Sequence, residues 1–395
     1  MRLRRATFEL VALAIVPLLL SAASLTPSEL EESGRVHLYN MEIRAARALF
    51  AELGRSAPQS PAGPYFEATT LWTGEFSRRG GMAGATFRTG EYWSSKGEET
   101  LDLELDRAFK RLVSESIERA DVLLKKDPDD LEALYFRGAA EGVLSAYLAS
   151  IEHSYIGAFQ AGRRAKAFHE RLLEVDPEYS DACLLPGIFE YTVATLPRSL
   201  RIVGFLVGMR GSKAEGMELV ERAASRGERS RWVARLSLSV MFEREKRYTA
   251  ALRLLAELEQ AFPRNPFLAM ERGSIELLRK DWNAARRAFD EVLSERDSGW
   301  AGFELLPVSM VYLRLGESFL FAKSYVEAAR AFERALSTPG TPSFVRAQIF
   351  LRRGMTSDAL GMRTAAQWDY RRAIGLGADS AVTRTAERYL AEPYR

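Results

Sequence analysis

Between residues 312 and 339 the apolar positions fall three and four apart in two consecutive runs. Leu315 and Phe319 share one face of a predicted helix, and Ala328, Phe332 and Ala335 share one face of the next. Gly316 and Ala328 are small where two helix backbones have to approach, and aromatics stand on either side to fill the wedge. The same period returns at Tyr248, Ala251, Leu255 and Leu258, at Trp282, Ala285, Phe289 and Val292, and at Ala366, Tyr370 and Ala373. Upstream it is found at Ile43, Ala46, Phe50 and Leu53, in Tyr65 to Phe76 with Phe66, Leu71 and Trp72, and from Leu101 to Lys126. Residues 24–34, acidic around Glu29, Glu31 and Glu32, read as a tether, and helical period begins near Arg35. A helix from Ser380 to Leu390 would close the array, with Arg384, Glu387 and Arg388 outward. No strand-like alternation is long enough for a sheet.

Proline and glycine punctuate these runs at a fixed step. Pro128 precedes Gly138, Pro177 precedes Gly187 and Pro263 precedes Gly273, each by ten residues. Proline stops one helix and permits the next. The glycine lets the new helix lie close to its partner. The unit at 129–177 is longer than the others and predicts helices extended by an extra turn or more. Two stretches break the pattern. Residues 77–99 form a glycine-rich loop in which Tyr92 and Trp93 are candidates for a lid. Ser199 to Met209 reads as a short inserted helix with almost no polar face, flanked by Arg198, Arg201, Arg210 and Lys213.

The run Tyr312-x2-Leu315-Gly316-x2-Phe319, then Ala328-x3-Phe332 and Pro339, resembles the 34-residue tetratricopeptide repeat. The likeness extends with gaps over residues 35–390. It implies an all-α fold, a right-handed α-solenoid of paired helices in which each hairpin buries its apolar face on the next. A second likeness lies at 187–227, where Gly187-Ile188-Phe189, Thr195-Leu196-Pro197, Val203-Gly204-Phe205 and Gly211-Ser212-Lys213 occur in order. This segment resembles the eukaryotic inclusion-body-clearance family of tetratricopeptide proteins and a set of exported bacterial ones without assigned activity. The resemblance brings no catalytic residues with it. The expected organisation is a leader at 1–23, the tether at 24–34, irregular hairpins at 35–128, long hairpins with the inserted helix at 129–228, and a regular array with its cap at 229–390.

Charge and composition narrow the partner classes. The formal net charge is +2, and about zero without Arg2, Arg4, Arg5 and Glu9, so there is no overall basic footprint for nucleic acid. Those arginines, the apolar run Leu10 to Leu20 and the small residues Ser21-Ala22-Ala23 have the layout of a signal peptide cleaved after Ala23, which places the mature chain in the periplasm; an uncleaved anchor is the alternative. Cys183, the sole cysteine, has no disulfide partner and reads as a small buried side chain.

The inventory for chemistry is short. His37, His153 and His169 have no metal-type spacing, and no Walker loop, H-E-x-x-H, C-x-x-C or G-x-S-x-G run occurs. Neither a metal nor a cofactor is expected, and no enzyme activity. Glu152, His153 and Tyr155 form a polar cluster at an expected bend. In tetratricopeptide arrays the first helices line a groove. Here that places Glu271, Ser274, Arg314, Glu317, Phe321, Arg352 and Met355 along it, a mixture suited to an extended peptide or a partner helix. The leading reading is an exported scaffold that binds protein segments there. The alternative is a membrane-peripheral envelope factor that docks on lipid or an integral partner through Arg201, Phe205, Leu206 and Arg210.

Overall fold

A computed structural model describes residues 25–82, 101–196, 211–376 and 381–395. Among these residues the chain is helical throughout, without a strand. The helices pair along the chain: α1 (Pro27–Tyr39) with α2 (Ile43–Ser56), α3 (Ala62–Arg78) with α4 (Leu103–Lys126), and α5 (Leu131–Ser150) with α6 (Tyr155–Val175). After a 3-10 turn at Ser180–Cys183 come α7 (Leu184–Thr195) with α8 (Lys213–Arg226), α9 (Arg231–Arg244) with α10 (Tyr248–Ala261), and α11 (Pro266–Arg279) with α12 (Trp282–Glu295). A one-turn helix, α13 (Gly302–Leu305), then leads into α14 (Val308–Phe321) with α15 (Tyr325–Ser337) and α16 (Ser343–Ala359) with α17 (Arg363–Leu376). The last helix, α18 (Ala381–Ala391), packs on α17 and keeps Arg384, Glu387 and Arg388 exposed, as a cap should.

A common register runs through these hairpins. Gly34, Gly273, Gly316 and Gly354 sit on first helices, and the residue seven positions later (Met41, Lys280, Lys323 or Gly361) turns the chain with φ between 62° and 75°. Nine positions further an aromatic ring, Phe50, Phe289, Phe332 or Tyr370, lies over the glycine's bare Cα. A Cβ added at any of the four would come within 2.6 Å of a ring carbon. The rings themselves are wholly buried. The hairpin α9–α10 keeps the turn at Lys246 (φ 58°) but carries Ser239 and Leu255 at the equivalent positions. Where the ring shrinks to leucine, the facing position accepts a small side chain. The hairpin α5–α6 keeps the contact, His169 over Gly138, with its turn at His153 fifteen residues after the glycine. Those helices are therefore about two turns longer than the regular ones. In α7–α8 two glycines meet instead, Gly187 against Gly216.

The tether expected at 24–34 is not one. Thr26 and Glu29 form a reciprocal capping box, with the Glu29 amide donating to Thr26 Oγ1 at 3.3 Å and the Thr26 amide to the Glu29 carboxylate at 2.8 Å. The chain is helical from Pro27, and Leu30, Glu31, Gly34 and Leu38 are buried. Part of the helix's buried face is charged, which masks its apolar period in the sequence. Glu31 accepts from Arg229 at 2.8 Å, a partner 198 residues away. The glycine-rich stretch begins later than expected, since α3 runs to Arg78; Gly80 turns the chain at φ 75°, and residues 83–100 lie outside the described set. The inserted helix expected at 199–209 also lies outside it.

The first hairpin reaches far beyond its neighbours. Asn265 Nδ2 donates to the Tyr39 carbonyl at 2.8 Å, the Arg264 amide donates to Asn40 Oδ1 at 3.2 Å, and Arg264 pairs with Glu42 at 2.7 Å. Arg35 donates to the carbonyls of Glu228 and Arg229 at 3.3 Å, and Arg44 pairs with Glu304 at 3.2 Å. Met41 is buried in the same cluster as Phe267, Met270 and Met310. Thus the turn of the first hairpin is seated on the entries to α9, α11 and α14, and the coil closes on itself.

The register makes a signed prediction. In an open helix position Gly→Ala stabilises by roughly 1 kcal/mol. Gly316→Ala is expected instead to destabilise by about 1–3 kcal/mol, because the new methyl drives into Phe332. In a Phe332→Leu background the same substitution should cost measurably less. Thermal or denaturant melts of the four proteins check this; an increase in stability on Gly316→Ala alone would contradict the packing.

Candidate functional site

The predicted groove residues fall in two rows set by the same register. Glu271, Arg314 and Arg352 stand two positions before the helix glycines, and Ser274, Glu317 and Met355 one position after. The structure brings five of the seven into one cluster across α14 and α16. Arg314 Nη1 donates to Glu317 Oε2 at 2.6 Å, and Arg352 Nε donates to Glu317 Oε1 at 2.7 Å. Arg352 also reaches Met355 Sδ at 3.4 Å, and its guanidinium lies 5.6 Å from the centre of the Phe321 ring. Phe321 packs in turn against Trp282, with ring centroids 5.7 Å apart.

Burial divides the cluster into a support and a rim. Glu317 is 3% exposed and Met355 is buried, whereas Arg314, Phe321, Arg352 and Trp282 are half-buried. Burial alone would raise the Glu317 carboxyl. The guanidiniums of Arg314 and Arg352 outweigh that and hold it down to about 2. Glu317 is therefore an anion that fixes two guanidiniums in place rather than a free acid. Glu271 and Ser274 of α11 are also buried, and Ser274 Oγ donates to the Met270 carbonyl of its own helix at 3.0 Å. Glu271, Ser274, Glu317 and Met355 thus belong to the interior, and Phe321, Arg352 and Trp282 form a partly exposed rim. Trp282 was expected on a buried helix face, and nothing in its spacing marks it as part of the rim.

The remaining candidates separate clearly. Tyr92 and Trp93, and Arg201, Phe205, Leu206 and Arg210, lie outside the described residues. Cys183 is fully buried. His153 sits in the α5–α6 turn, within 3.5 Å of the Tyr155 hydroxyl, and Glu152 pairs with Lys110 at 2.8 Å. The buried histidine is His169. Its Nε2 donates to the Tyr135 carbonyl at 3.0 Å, and burial pushes its pKa down to about 4, so the ring is neutral at pH 7. Among the described residues no group of three or more His, Cys, Asp or Glu side chains is placed to hold a metal ion. None of the described helices is long and apolar enough to cross a membrane.

Comparison with known proteins bears on the class. The sequence profile of the family described as Iml2/Tetratricopeptide repeat protein 39 matches residues 181–339, a stretch that contains the 187–227 segment. No curated protein matches. Among solved structures, a tetratricopeptide repeat protein from Parabacteroides merdae is similar at 12% identity and TM-score 0.33, over 92% of this chain and 97% of that one. Yeast Tom70 is similar at 9% identity and TM-score 0.43, over 92% and 88%. A human IFIT1 dimer with m7Gppp-AAAA is similar at 12% identity and TM-score 0.48, over 93% and 86%. Residues 181–339 are thus similar to the Iml2/Tetratricopeptide repeat protein 39 family, and the described helices stack as hairpins of the tetratricopeptide kind.

The buried glutamate yields a pH-dependent test. A carboxyl whose folded pKa is depressed stabilises the fold above its ordinary value of 4.5, and that stabilisation is lost as pH falls through about 2. Glu317→Gln is expected to lower stability by about 3 kcal/mol at neutral pH. The gap from the parent should narrow as pH drops below 4.5, as read from denaturant midpoints. A gap independent of pH would contradict the ionised pairing.

Proposed function

We propose that this chain is a non-enzymatic scaffold whose first-helix rim on α14 and α16 binds a segment of a partner protein. The observation that carries this reading is the partly exposed rim of Phe321, Arg352 and, from α12, Trp282, with the mostly buried Arg314 beside them and both guanidiniums held by Glu317. Aromatic and arginine side chains of this kind carry most of the energy at protein interfaces, and pre-ordered ones lose little entropy when a partner arrives. Stacked hairpins suit the task, since each adds surface next to the last without a new core. A segment lying along the rim would place an apolar side chain against Phe321 and acceptor groups on Arg314 and Arg352.

We further propose that the scaffold works after export. The arginines at 2, 4 and 5, the apolar run to Leu20 and the small residues before Leu25 support this.

Crosslinking in the native host, followed by identification of the captured proteins, tests the rim. Phe321→Ala is expected to cost about 2 kcal/mol of binding, near thirty-fold, in the recaptured complex. Its helical circular dichroism should be unchanged. Undiminished capture by a folded Phe321→Ala protein would contradict the assignment.

A further inference from the structure

A second surface lies on the edge of the last hairpin, away from the rim. Phe350 of α16 meets Trp368 of α17 edge to face, with centroids 6.0 Å apart and the rings at 75°. Phe350 is buried, whereas Trp368 is 47% exposed. Arg353 donates to the buried Asp369 through two nitrogens, at 2.9 and 2.6 Å, so its charge is matched internally. The guanidinium of Arg372 lies over Trp368 at 4.5 Å from the ring centre. Beside this stack a hollow of about 260 Å³ is lined by Arg346, Phe350, Arg371, Arg372, Gly375 and Leu376.

Three exposed arginines outside any carboxylate pair gather at this edge. Much of the arginine on the molecule is matched by carboxylates, as at Arg137, Arg164, Arg272, Arg314 and Arg363. Among the described residues Arg346, Arg371 and Arg372 have no carboxylate within ion-pair distance, although Arg372 feels Asp369 at longer range. All three are exposed, and they stand around one hollow with an aromatic wall.

We propose that this edge binds an acidic peptide segment of a partner protein, with carboxylates received by Arg346, Arg371 and Arg372 and an apolar side chain laid against Trp368. Planar guanidinium forks match carboxylates in two-bond geometry. The chemistry favours a peptide over nucleic acid for two reasons. Arg372 lies over Trp368, so a flat base has only part of the ring to stack on, whereas an aliphatic side chain needs only the part left exposed. The chain's near-zero net charge supplies no long-range field to gather a polyphosphate. The proposal rests on the reading of the chain as a protein-binding scaffold, and it assigns that scaffold a second contact at a separate place on its last hairpin.

Fluorescence anisotropy of the full chain tests it. The probe is a fluorescein-labelled dodecapeptide of glutamates with two central leucines; its glutamine counterpart and a twelve-nucleotide oligouridylate serve as comparisons. The glutamate peptide is expected to bind at least tenfold more tightly than either, and to weaken as salt is raised. Arg371→Glu with Arg372→Glu, and separately Arg346→Glu, should each lower its affinity at least tenfold while melting stays cooperative. Phe321→Ala should leave it unchanged, which separates this surface from the rim. Arg279→Glu, beside the basic turn of Lys246 and Arg247, should also leave it unchanged. Undiminished binding by the folded arginine variants, equal loss on Arg279→Glu, or tighter binding of the oligouridylate would each overturn the proposal.

Discussion

A ring laid on a bare glycine Cα is the contact from which this architecture follows. It brings two helix backbones close enough to share one layer of side chains, and it fixes their register to a single residue. Gly34 with Phe50, Gly273 with Phe289, Gly316 with Phe332 and Gly354 with Tyr370 repeat it with the same turn between. The cost is visible in those turns. Met41, Lys280 and Lys323 hold a left-handed backbone that glycine would adopt more easily, as Gly361 does. The buried ring offsets that strain, since a wholly buried phenylalanine contributes on the order of 2–3 kcal/mol.

Solenoids of this type are expected to be quasi-one-dimensional, each repeat touching only the next. This chain departs from that rule at its first hairpin. The α1–α2 turn is seated on the entries to α9, α11 and α14 by backbone hydrogen bonds to side chains and by the pairs Glu31–Arg229 and Glu42–Arg264. Arg229 lies within 5.3 Å of the Phe136 ring centre as well, which ties this contact to α5. Helices nearly two hundred residues apart are thereby locked together. The first hairpin covers the entries to α9, α11 and α14, while Phe321 and Trp368 stay partly exposed.

How much of this could be read from the residues depends on the range of the interaction. Hairpin identity was legible wherever the defining contact is local: Gly316 and Phe332 announce the repeat because they meet within one hairpin. The extended length of α5–α6 was legible for the same reason. The first helix was not, because the acidic residues around Gly34 look solvated until Arg229 is placed beside Glu31. Glu317 was expected to face a partner, but it is buried between two guanidiniums. Whether a glutamate on a first helix is rim or support depends on arginines such as Arg352, 35 residues away, and spacing alone does not reveal that pairing. The edge around Trp368 carried no periodic signal, since it arises from charges left over after Asp369 takes Arg353.

Amide hydrogen exchange, resolved along the chain, addresses the closed coil most directly. A thirteen-residue helix with no tertiary support is marginal in water and exchanges quickly. If the first hairpin is clasped as described, the amides of α1 from Leu30 to Tyr39 exchange as slowly as those of α14. Rapid, peptide-like exchange in α1 alongside a protected α14 would show that the clasp does not form, and that the solenoid is an open array.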